Sequence, residues 1–429
     1  MCFTHNTMVK GVNDNGLGLK GRMVLLALFF IILRDGVYGK RNTASMEKDL
    51  EVERKLKLLN KPAVKSIRSK DGDIIDCVDI YKQPAFDHPL LKNHTIHMTP
   101  GRGLQRVTNK EKPSSTVEIS QVWRKSGSCP KGTVPIRRAQ KQVLLRTPSL
   151  EKYGRRISHF IYKPNTTKSD ALDSTENPSE DHAVAVLLTQ GYSYSGAQAV
   201  VNVWSTFVEN DTEYSNVMIF LRNGPYYDFD AIEAGWGNNP SLYGDQRTRL
   251  TTYWTNDASK TTGCFDLLCP GFVQTSHDVA LGSAIEPLSQ HGGPQYAVTY
   301  SVTWDPDTDS WWLQLGDETV VGYWPSLIFS TMKNAATIVL WGGEVYSKKL
   351  GTPHTGTWMG SGSFSQDWFH GPCFMKEIRI RSNSLVWKYP EWVYTYQDQY
   401  NCYDAFNYVE GHSDPPFFFG GPGRNFKCP

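Results

Sequence analysis

Residues 295–315 read QYAVTYSVTWDPDTDSWWLQL, and this stretch is the clearest indicator of the fold. Two runs, 295–304 and 311–315, are rich in β-branched and aromatic residues and flank a segment of turn-forming Asp, Pro, Thr and Ser. Such runs are typical of β-strands. Similar segments recur in the C-terminal half of the chain, at 183–188, 199–207, 217–221 and 337–340. This density of short strands, without helical periodicity of useful length, predicts an all-β antiparallel sandwich over residues 182–429.

The preceding part of the chain has a different pattern. Residues 46–60 (MEKDLEVERKLKLLN) are rich in good helix formers, and Pro62 is expected to end the helix. Alternating runs at 74–78 and 117–123 then predict strands. Residues 40–162 are therefore expected to form a smaller α+β domain. The polar stretch 163–181 lacks the apolar content of a core and is expected to be a linker in which a protease could cut.

The N-terminus carries the features of a signal peptide over residues 1–39. Residues 23–33 read MVLLALFFIIL, an apolar run of 11 residues preceded by Lys20 and Arg22, which is too short to span a bilayer. We therefore expect a secreted, extracellular protein that has no membrane attachment after signal removal. Three glycosylation sequons, at Asn93, Asn165 and Asn210, fit exposed loops of a secreted chain.

The cysteines fit an oxidising compartment. The chain has eight, of which Cys2 lies in the leader. Pairings that keep each bridge within one region are Cys77–Cys129, Cys264–Cys269 and Cys402–Cys428, and they leave Cys373 free. A zinc site is the alternative interpretation of the Cys264/Cys269 spacing, but no histidine pair stands nearby at ligand spacing.

Charge is divided unevenly along the chain. Residues 40–180 hold 28 Lys and Arg against 16 Asp and Glu, whereas residues 181–429 hold 13 against 25. The basic half lacks the aromatic interleaving and dense basic runs of a nucleic-acid-binding segment. The sequence therefore predicts that the partner of the basic half is the acidic half of the same chain, and that the protein binds no nucleic acid.

Two glutamates stand in motifs that could support chemistry. Glu233 lies in IEAGW (232–236) and Glu344 in WGGEV (341–345), each beside tryptophan and small residues. A surrounding of low dielectric constant raises the pKa of a carboxyl group. Two carboxyl groups across a cleft can provide the base and the acid of a hydrolytic reaction, although a single strand glutamate is more often a solvated surface residue.

Longer strings of sequence resemble the neprosin family. Those in the first half are DCVDIYKQPAFDHPL (76–90) and CPKGTVPIRR (129–138). Those in the second half, besides the two glutamate motifs, are PSLYGD (240–245), TRLTTYWT (248–255), TGCFDLLCPGFVQ (262–274), WWLQLG (311–316), VGYWPS (321–326) and FFGGPGRNFKCP (418–429). The first set resembles the activation peptide of the family, and the second set resembles its peptidase domain.

This resemblance implies a secreted glutamic endopeptidase that is active in acid, cuts after proline and is made as a proenzyme. It implies a two-sheet sandwich in which Glu233 and Glu344 are the catalytic pair, with proline-containing peptides as substrates and the pro-region as inhibitor. No metal or organic cofactor is required. The chain departs from the family pattern HTxTQMGSGHF at 354–364, where Trp358 replaces Gln and Ser363 replaces His.

Alternative functions belong to other classes. A secreted, tryptophan-rich sandwich with two acids also describes glycoside hydrolases, and a non-catalytic cell-wall or glycan binder could stack sugars on Trp311, Trp312, Trp324 or Trp341. The Gly-Ser-Gly at 360–362 lacks the form of a nucleophile elbow and is interpreted as a turn. His354 and His370 are not spaced as metal ligands.

Overall fold

The computed structural model describes residues 46–101, 120–156, 181–368 and 370–429. The signal peptide, Asn165 and all of the linker except Asp181 lie outside these residues. A helix, α1, spans residues 46–59 as expected. The chain divides into two compact units, 1–54 and 55–429. Among the described residues, each helix is too short or too polar to cross a bilayer.

The α+β region precedes the main sheet, as predicted. It contains a three-stranded antiparallel sheet in the order β1-β2-β4, and Cys77–Cys129 crosslinks it. Its elements after α1 are β1 (Ala63–Arg68), β2 (Ile74–Asp79), β3 (Ser120–Gln121), β4 (Thr133–Arg137) and the helix α2 (Lys141–Arg146). The predicted strand at 117–123 is wrong in its second half, because Val122–Ser126 forms a 3₁₀ helix that buries Trp123.

The remaining chain forms one continuous antiparallel sheet that folds over on itself. Its elements are β5 (His182–Asn202), β6 (Tyr214–Asn223), β7 (Asp230–Asn238), the short helix α3 (Pro240–Tyr243), β8 (Arg249–Thr255), β9 (Cys264–Phe265), β10 (Val273–Gln274), β11 (Ile285–Glu286), β12 (Ala297–Asp305), β13 (Ser310–Leu315), β14 (Thr319–Pro325), β15 (Ala336–Tyr346), β16 (Cys373–Ser382), β17 (Trp387–Lys388), β18 (Tyr394–Gln397), β19 (Asp404–Asn407) and β20 (Phe417–Gly420). Of the described strands from β5 onward, only β11 lies outside this sheet, and it pairs with β3. The all-β sandwich is confirmed.

Strand β5 joins the two layers. The first layer includes the first half of β5, which pairs with β15 and β18. The second layer includes its second half, which pairs with β12 and β16. Two strands were expected here, at 183–188 and 199–207, but the structure has one strand of 21 residues. Gly191, between the two halves, has a φ of +96° that other residues rarely adopt. A single bent strand therefore makes the layers continuous.

The core between the layers is built largely from tryptophan. Trp236 and Trp341 extend inward from the first layer and donate Nε1–H to backbone oxygens of the second half of β5, at Asn202 and Gln198. The second layer contributes Trp311 and its cross-strand partner Trp324, which are also fully buried, whereas the adjacent Trp312 faces the other side of that layer. Large aromatic side chains whose N–H groups find partners are suited to such a core. The alternation of these strands then turns their other side chains to the opposite face of the first layer.

The disulfide bridges are those predicted from the sequence. The bridges Cys77–Cys129, Cys264–Cys269 and Cys402–Cys428 are all present, and Cys373 is free and buried. The alternative zinc site at Cys264 and Cys269 is excluded because these sulfurs are bonded to each other. Asn93 and Asn210 are exposed, as expected for two of the sequons.

Candidate active site

Both candidate glutamates lie on the outer face of the first layer. In β7, Ile232 and Ala234 pack into the core and Glu233 faces the other way; in β15, Trp341 and Val345 are core residues and Glu344 faces outward. Strand β6 lies between these two strands and pairs with both. Each glutamate is nevertheless buried, with 3% and 5% of its surface exposed. Since a buried carboxylate requires a partner, the groups that cover the pair identify the site.

Arg156 connects the two carboxylates. Its Nη2 lies 2.5 Å from Glu233 Oε2, and its Nη1 lies 3.3 Å from Glu344 Oε1. The guanidinium also stacks over the Tyr253 ring, 4.8 Å from the ring centroid. This arginine comes from the region predicted as the pro-domain, 40–162. The two predicted catalytic acids therefore share one buried cation from the pro-region.

The backbone just before Arg156 is fixed against the main sheet. Phe265 donates its backbone N–H to the carbonyl oxygen of Gly154 at 2.8 Å. The buried Tyr153 hydroxyl donates to the carbonyl oxygen of Leu242 at 3.0 Å. These contacts fix the direction in which the chain arrives, so that the arginine side chain extends between the glutamates.

A histidine holds one of the glutamates and not the other. His182 Nδ1 lies 2.6 Å from Glu344 Oε1, and its side chain has no exposed surface. The ring is 5.0 Å from that of Tyr346, which stacks on Tyr214 at 5.1 Å and 17°. His182, Tyr346 and Tyr214 are cross-strand neighbours on β5, β15 and β6. Packing by two tyrosines restricts the orientation of the imidazole.

The two acids differ in pKa. Burial raises the pKa of Glu233 to about 7, although Arg156 opposes this shift. Burial also disfavours the charged form of Glu344, but Arg156 and His182 more than offset it, so the pKa of this carboxyl is lowered. Two carboxyl groups so close together share their titration. The different surroundings push their pKa values apart, which is the pattern of an acid and base pair.

An apolar cleft adjoins Glu344. It is lined by Val184, Val186, Met218, Phe220 and Leu340, together with Gly342, Gly343 and Arg156. With Arg156 in place, the enclosed space is about 20 Å³, which holds about one water molecule. The side chain of Arg156 therefore forms part of the wall of a cleft that has little free space.

The two residues that depart from the family pattern lie elsewhere. Trp358 packs on Phe207, with ring centroids 5.8 Å apart, and Ser363 is buried and donates its backbone N–H to Ser361 Oγ. Met359, next to Trp358, lies against Gly343. A side chain at position 343 would face the core side of β15, which is the side opposite Glu344. This segment therefore supports β15 from within the sandwich.

Other candidates have structural roles. Trp311, Trp312, Trp324 and Trp341 are fully buried, so none of them presents a face to a ligand. His354 Nδ1 lies 2.9 Å from the carbonyl oxygen of Thr355. His370 is exposed and pairs with Asp367. Gly360 and Gly362 have positive φ, as the interpretation of 360–362 as a turn requires.

Two protein-family models match the chain. The family model "Neprosin" matches residues 211–422, which include both glutamates. The model "Neprosin activation peptide" matches residues 66–186, which include Arg156 and His182.

Solved structures with similar folds are more distant. Scytalido-glutamic peptidase bound to a peptide-based transition-state analog is 10% identical with a TM-score of 0.31, over 57% of this chain and 98% of that chain. SCP-B, of the Eqolisin family of peptidases, is 9% identical with a TM-score of 0.29 over the same shares. The β-glucanase of Bacillus licheniformis is 14% identical with a TM-score of 0.20, over 38% and 65%.

Sequence reasoning missed two residues of this site. Arg156 attracted notice only as part of the basic pair Arg155-Arg156, and His182 only as the first residue of the predicted sandwich. Their signal was position, since they flank the polar linker on either side. The two family models together cover most of the chain. The chain belongs to the neprosin family of glutamic peptidases and carries the activation peptide of that family before its peptidase domain.

Proposed function

We propose that the protein is a secreted, acid-active endopeptidase that cleaves after proline and uses Glu233 and Glu344 as its catalytic pair. The observation that carries this proposal is the Arg156 bridge between the two carboxylates. Burying two acids side by side is unfavourable for a fold, and the activation peptide supplies the single cation that compensates for it. A catalytic pair that stays inactive until the pro-region leaves accounts both for the two buried acids and for the cation that bridges them.

The mechanism follows from two coupled acids that share one proton once Arg156 has left. The ionised carboxylate accepts a proton from water, and the resulting hydroxide oxygen bonds to the scissile carbonyl carbon. The protonated carboxyl group first donates a hydrogen bond to the carbonyl oxygen and then protonates the leaving nitrogen. The C–N bond breaks, and transfer of a proton between the glutamates restores the starting state.

Latency depends on contacts made by the pro-region. Asp73 accepts from Arg137 within the pro-region at 2.9 Å and from the fully buried Arg249 of the main sheet at 2.6 Å. Gln83 exchanges two hydrogen bonds with the backbone of Gln274. The opposite net charges of the two halves add a long-range attraction. These contacts position Arg156 until the linker at 163–181 is cut.

Acid favours the release of Arg156. The arginine lowers the pKa of both glutamates, so both carboxyls bind protons more tightly after it leaves. Release therefore takes up protons and is promoted as the pH falls. Glu233 takes up a proton on release above about pH 7, which is the pKa of its carboxyl group with Arg156 bound. For Glu344, whose pKa with arginine bound is below its usual value, the effect extends into the acidic range.

The cleft supports a preference for proline. Its walls are aliphatic and phenyl side chains that adjoin Glu344, including Val186, Met218 and Phe220. A proline ring is compact and apolar and lacks an N–H group, so it leaves no donor unsatisfied against such walls. Secretion rests on the leader at 1–39 and on the three disulfide bridges.

The glycan-binding alternative is weaker because the tryptophans that would stack on sugars are in the core. A glycoside hydrolase would also use two acids, and substrate distinguishes it from a peptidase. The test is cleavage of a panel of proline-containing peptides from pH 2.5 to 7, read by mass spectrometry. We expect cleavage in acid that is lost in Glu233→Gln and in Glu344→Gln. Unchanged peptide cleavage in either variant would contradict the proposed centre.

A further inference from the structure

We propose that His182 is the positioning residue that keeps Glu344 ionised, so that Glu344 is the base and Glu233 the acid. This assignment rests on the proposed function and adds a division of labour that the two glutamate motifs do not show. The two glutamates differ in their hydrogen-bond contacts. Glu344 has a hydrogen-bond partner on β5 of the main sheet, His182, whereas the hydrogen-bond partner of Glu233 is Arg156, which precedes the linker.

The contact at Glu344 is built into the sheet. His182 and Tyr346 are direct cross-strand partners, and Glu344 lies two residues before Tyr346 on the same face of β15. The backbone N–H of Ser347 donates to the carbonyl oxygen of Asp181 at 2.9 Å, which anchors the start of β5. The imidazole therefore remains beside Glu344 after the pro-region departs, provided that the processing cut lies before Asp181.

His182 and Arg156 contact the same carboxylate oxygen of Glu344. His182 Nδ1 and Arg156 Nη1 both contact Oε1 of Glu344. Among the described residues, Oε2 of Glu344 is buried without a hydrogen-bond partner. After Arg156 leaves, His182 would continue to hold Oε1, and Oε2 would be available to accept a proton from water. An N–H donor on one oxygen favours the ionised form of the carboxyl group.

The surroundings of Glu233 favour the opposite state. Its cross-strand neighbours are Phe220 on β6 and Tyr253 on β8. The Tyr253 hydroxyl is occupied by Ser259, at 2.7 Å. Without Arg156, the carboxyl of Glu233 would lie in a mainly aromatic environment, where burial favours the protonated form. A protonated carboxyl at this position can donate to the substrate.

Other charged and titratable groups around the pair do not reverse this order. Asp398, whose Oδ1 accepts from the backbone N–H of Val184, is the remaining acid that interacts with Glu344, and burial raises its pKa to about 6. It is therefore largely uncharged in acid. Tyr214 is also neutral there, because burial raises the pKa of its hydroxyl far above the usual value. In the acidic range, His182 thus differentiates the two glutamates, together with the uncharged side chain of Asn216, the cross-strand neighbour of Glu344 on β6, which also favours its ionised form.

The test uses the processed enzyme and two substitutions of His182. His182→Phe keeps an aromatic ring between the strands and removes the N–H donor, whereas His182→Gln restores a donor. For wild type, kcat/KM should rise with pH as Glu344 ionises and fall as Glu233 ionises. We expect His182→Phe to move the rising limb upward by about one pH unit and so to lower kcat/KM about tenfold at pH values below that limb. His182→Gln should recover at least half of the shift, and KM should change less than about twofold in both variants.

The control is His354→Phe, which removes another buried histidine with an engaged Nδ1. It should leave the position of both limbs unchanged. A merely structural role for His182 would lower thermal stability without moving the rising limb, and that result would overturn the assignment. Equal limb shifts in His182→Phe and His354→Phe would overturn it too. The proposed function fails separately, if Glu233→Gln or Glu344→Gln retains activity.

Discussion

Replacing Arg156 by glutamine in the proenzyme removes the cation that both buried glutamates share. Arg156, Glu233 and Glu344 are all buried, so water screens their interactions little. Removing one partner of a buried ion pair typically destabilises a protein by about 3–5 kcal/mol, because an uncompensated charge remains. We expect a loss of this size in the free energy of unfolding at pH 7.5, where both carboxyl groups are largely ionised.

The loss of stability caused by Arg156→Gln should be smaller in acid. The pKa of Glu233 is about 7 in the presence of Arg156, so at pH 5 this carboxyl is protonated and its ion pair is already absent from the wild type. Only the contact with Glu344, whose pKa is lowered, is then lost on substitution. We expect about half of the neutral-pH effect, or roughly 2 kcal/mol, at pH 5.

The measurement is urea-induced unfolding of wild type, Arg156→Gln and Arg155→Gln at pH 7.5 and pH 5. Mass spectrometry should verify that each chain is intact before unfolding. Arg155→Gln makes the same change of charge one residue away, at a partly exposed side chain, and should cost less than about 0.5 kcal/mol. Equal losses for the two arginines at pH 7.5, or a larger loss at pH 5 for Arg156→Gln, would refute the bridge as the stabilising contact.

Two further predictions concern the interface between the pro-region and the main sheet. Asp73→Asn should destabilise the proenzyme by about 2–3 kcal/mol in urea unfolding at neutral pH, because Asp245 is then the one described ion-pair partner left to the buried Arg249. Asp87→Asn, which breaks a surface pair with Lys61, should change stability by less than about 1 kcal/mol, and similar losses in the two variants would contradict this reasoning. After the linker is cut, the pro-region should elute separately in size-exclusion chromatography at pH 4.5 or in 1 M salt but co-elute at pH 7.5 in low salt. Unchanged co-elution in both acid and salt would exclude electrostatic retention.

The strands of the peptidase domain were predictable because their side chains face two different environments. In 232–236 and 341–345, the positions that alternate with the glutamates are apolar and occupy the core. The continuity of β5 was not predictable, because the polar stretch Gln190–Ser193 resembles a turn between two strands. The residues on either side of this stretch pair with four different strands, and these pairings hold the two halves in one element. That pairing is a property of the tertiary structure and leaves no local pattern.

The site was predictable only in part, for a related reason. The glutamates carry distinctive local motifs, and family resemblance identified them. Arg156 and His182 have no such motif, and each acquires its role through a partner far along the chain. Arg156 is separated from Glu344 by 188 residues, and His182 by 162. An arginine of a basic pair before a polar linker and a single histidine after it look like solvated residues until folding brings them to the same carboxylate.

Latency and catalysis make related electrostatic demands on this site. Two adjacent buried carboxylates require at least one neutralising positive charge. In the proenzyme, the guanidinium of Arg156 provides it and also fills the space beside Glu344. In the enzyme that we propose, a proton on Glu233 replaces the guanidinium, while His182 continues to hold Glu344. Acid therefore has two linked effects, because the proton that makes Glu233 an acid catalyst also removes the charge that retained Arg156.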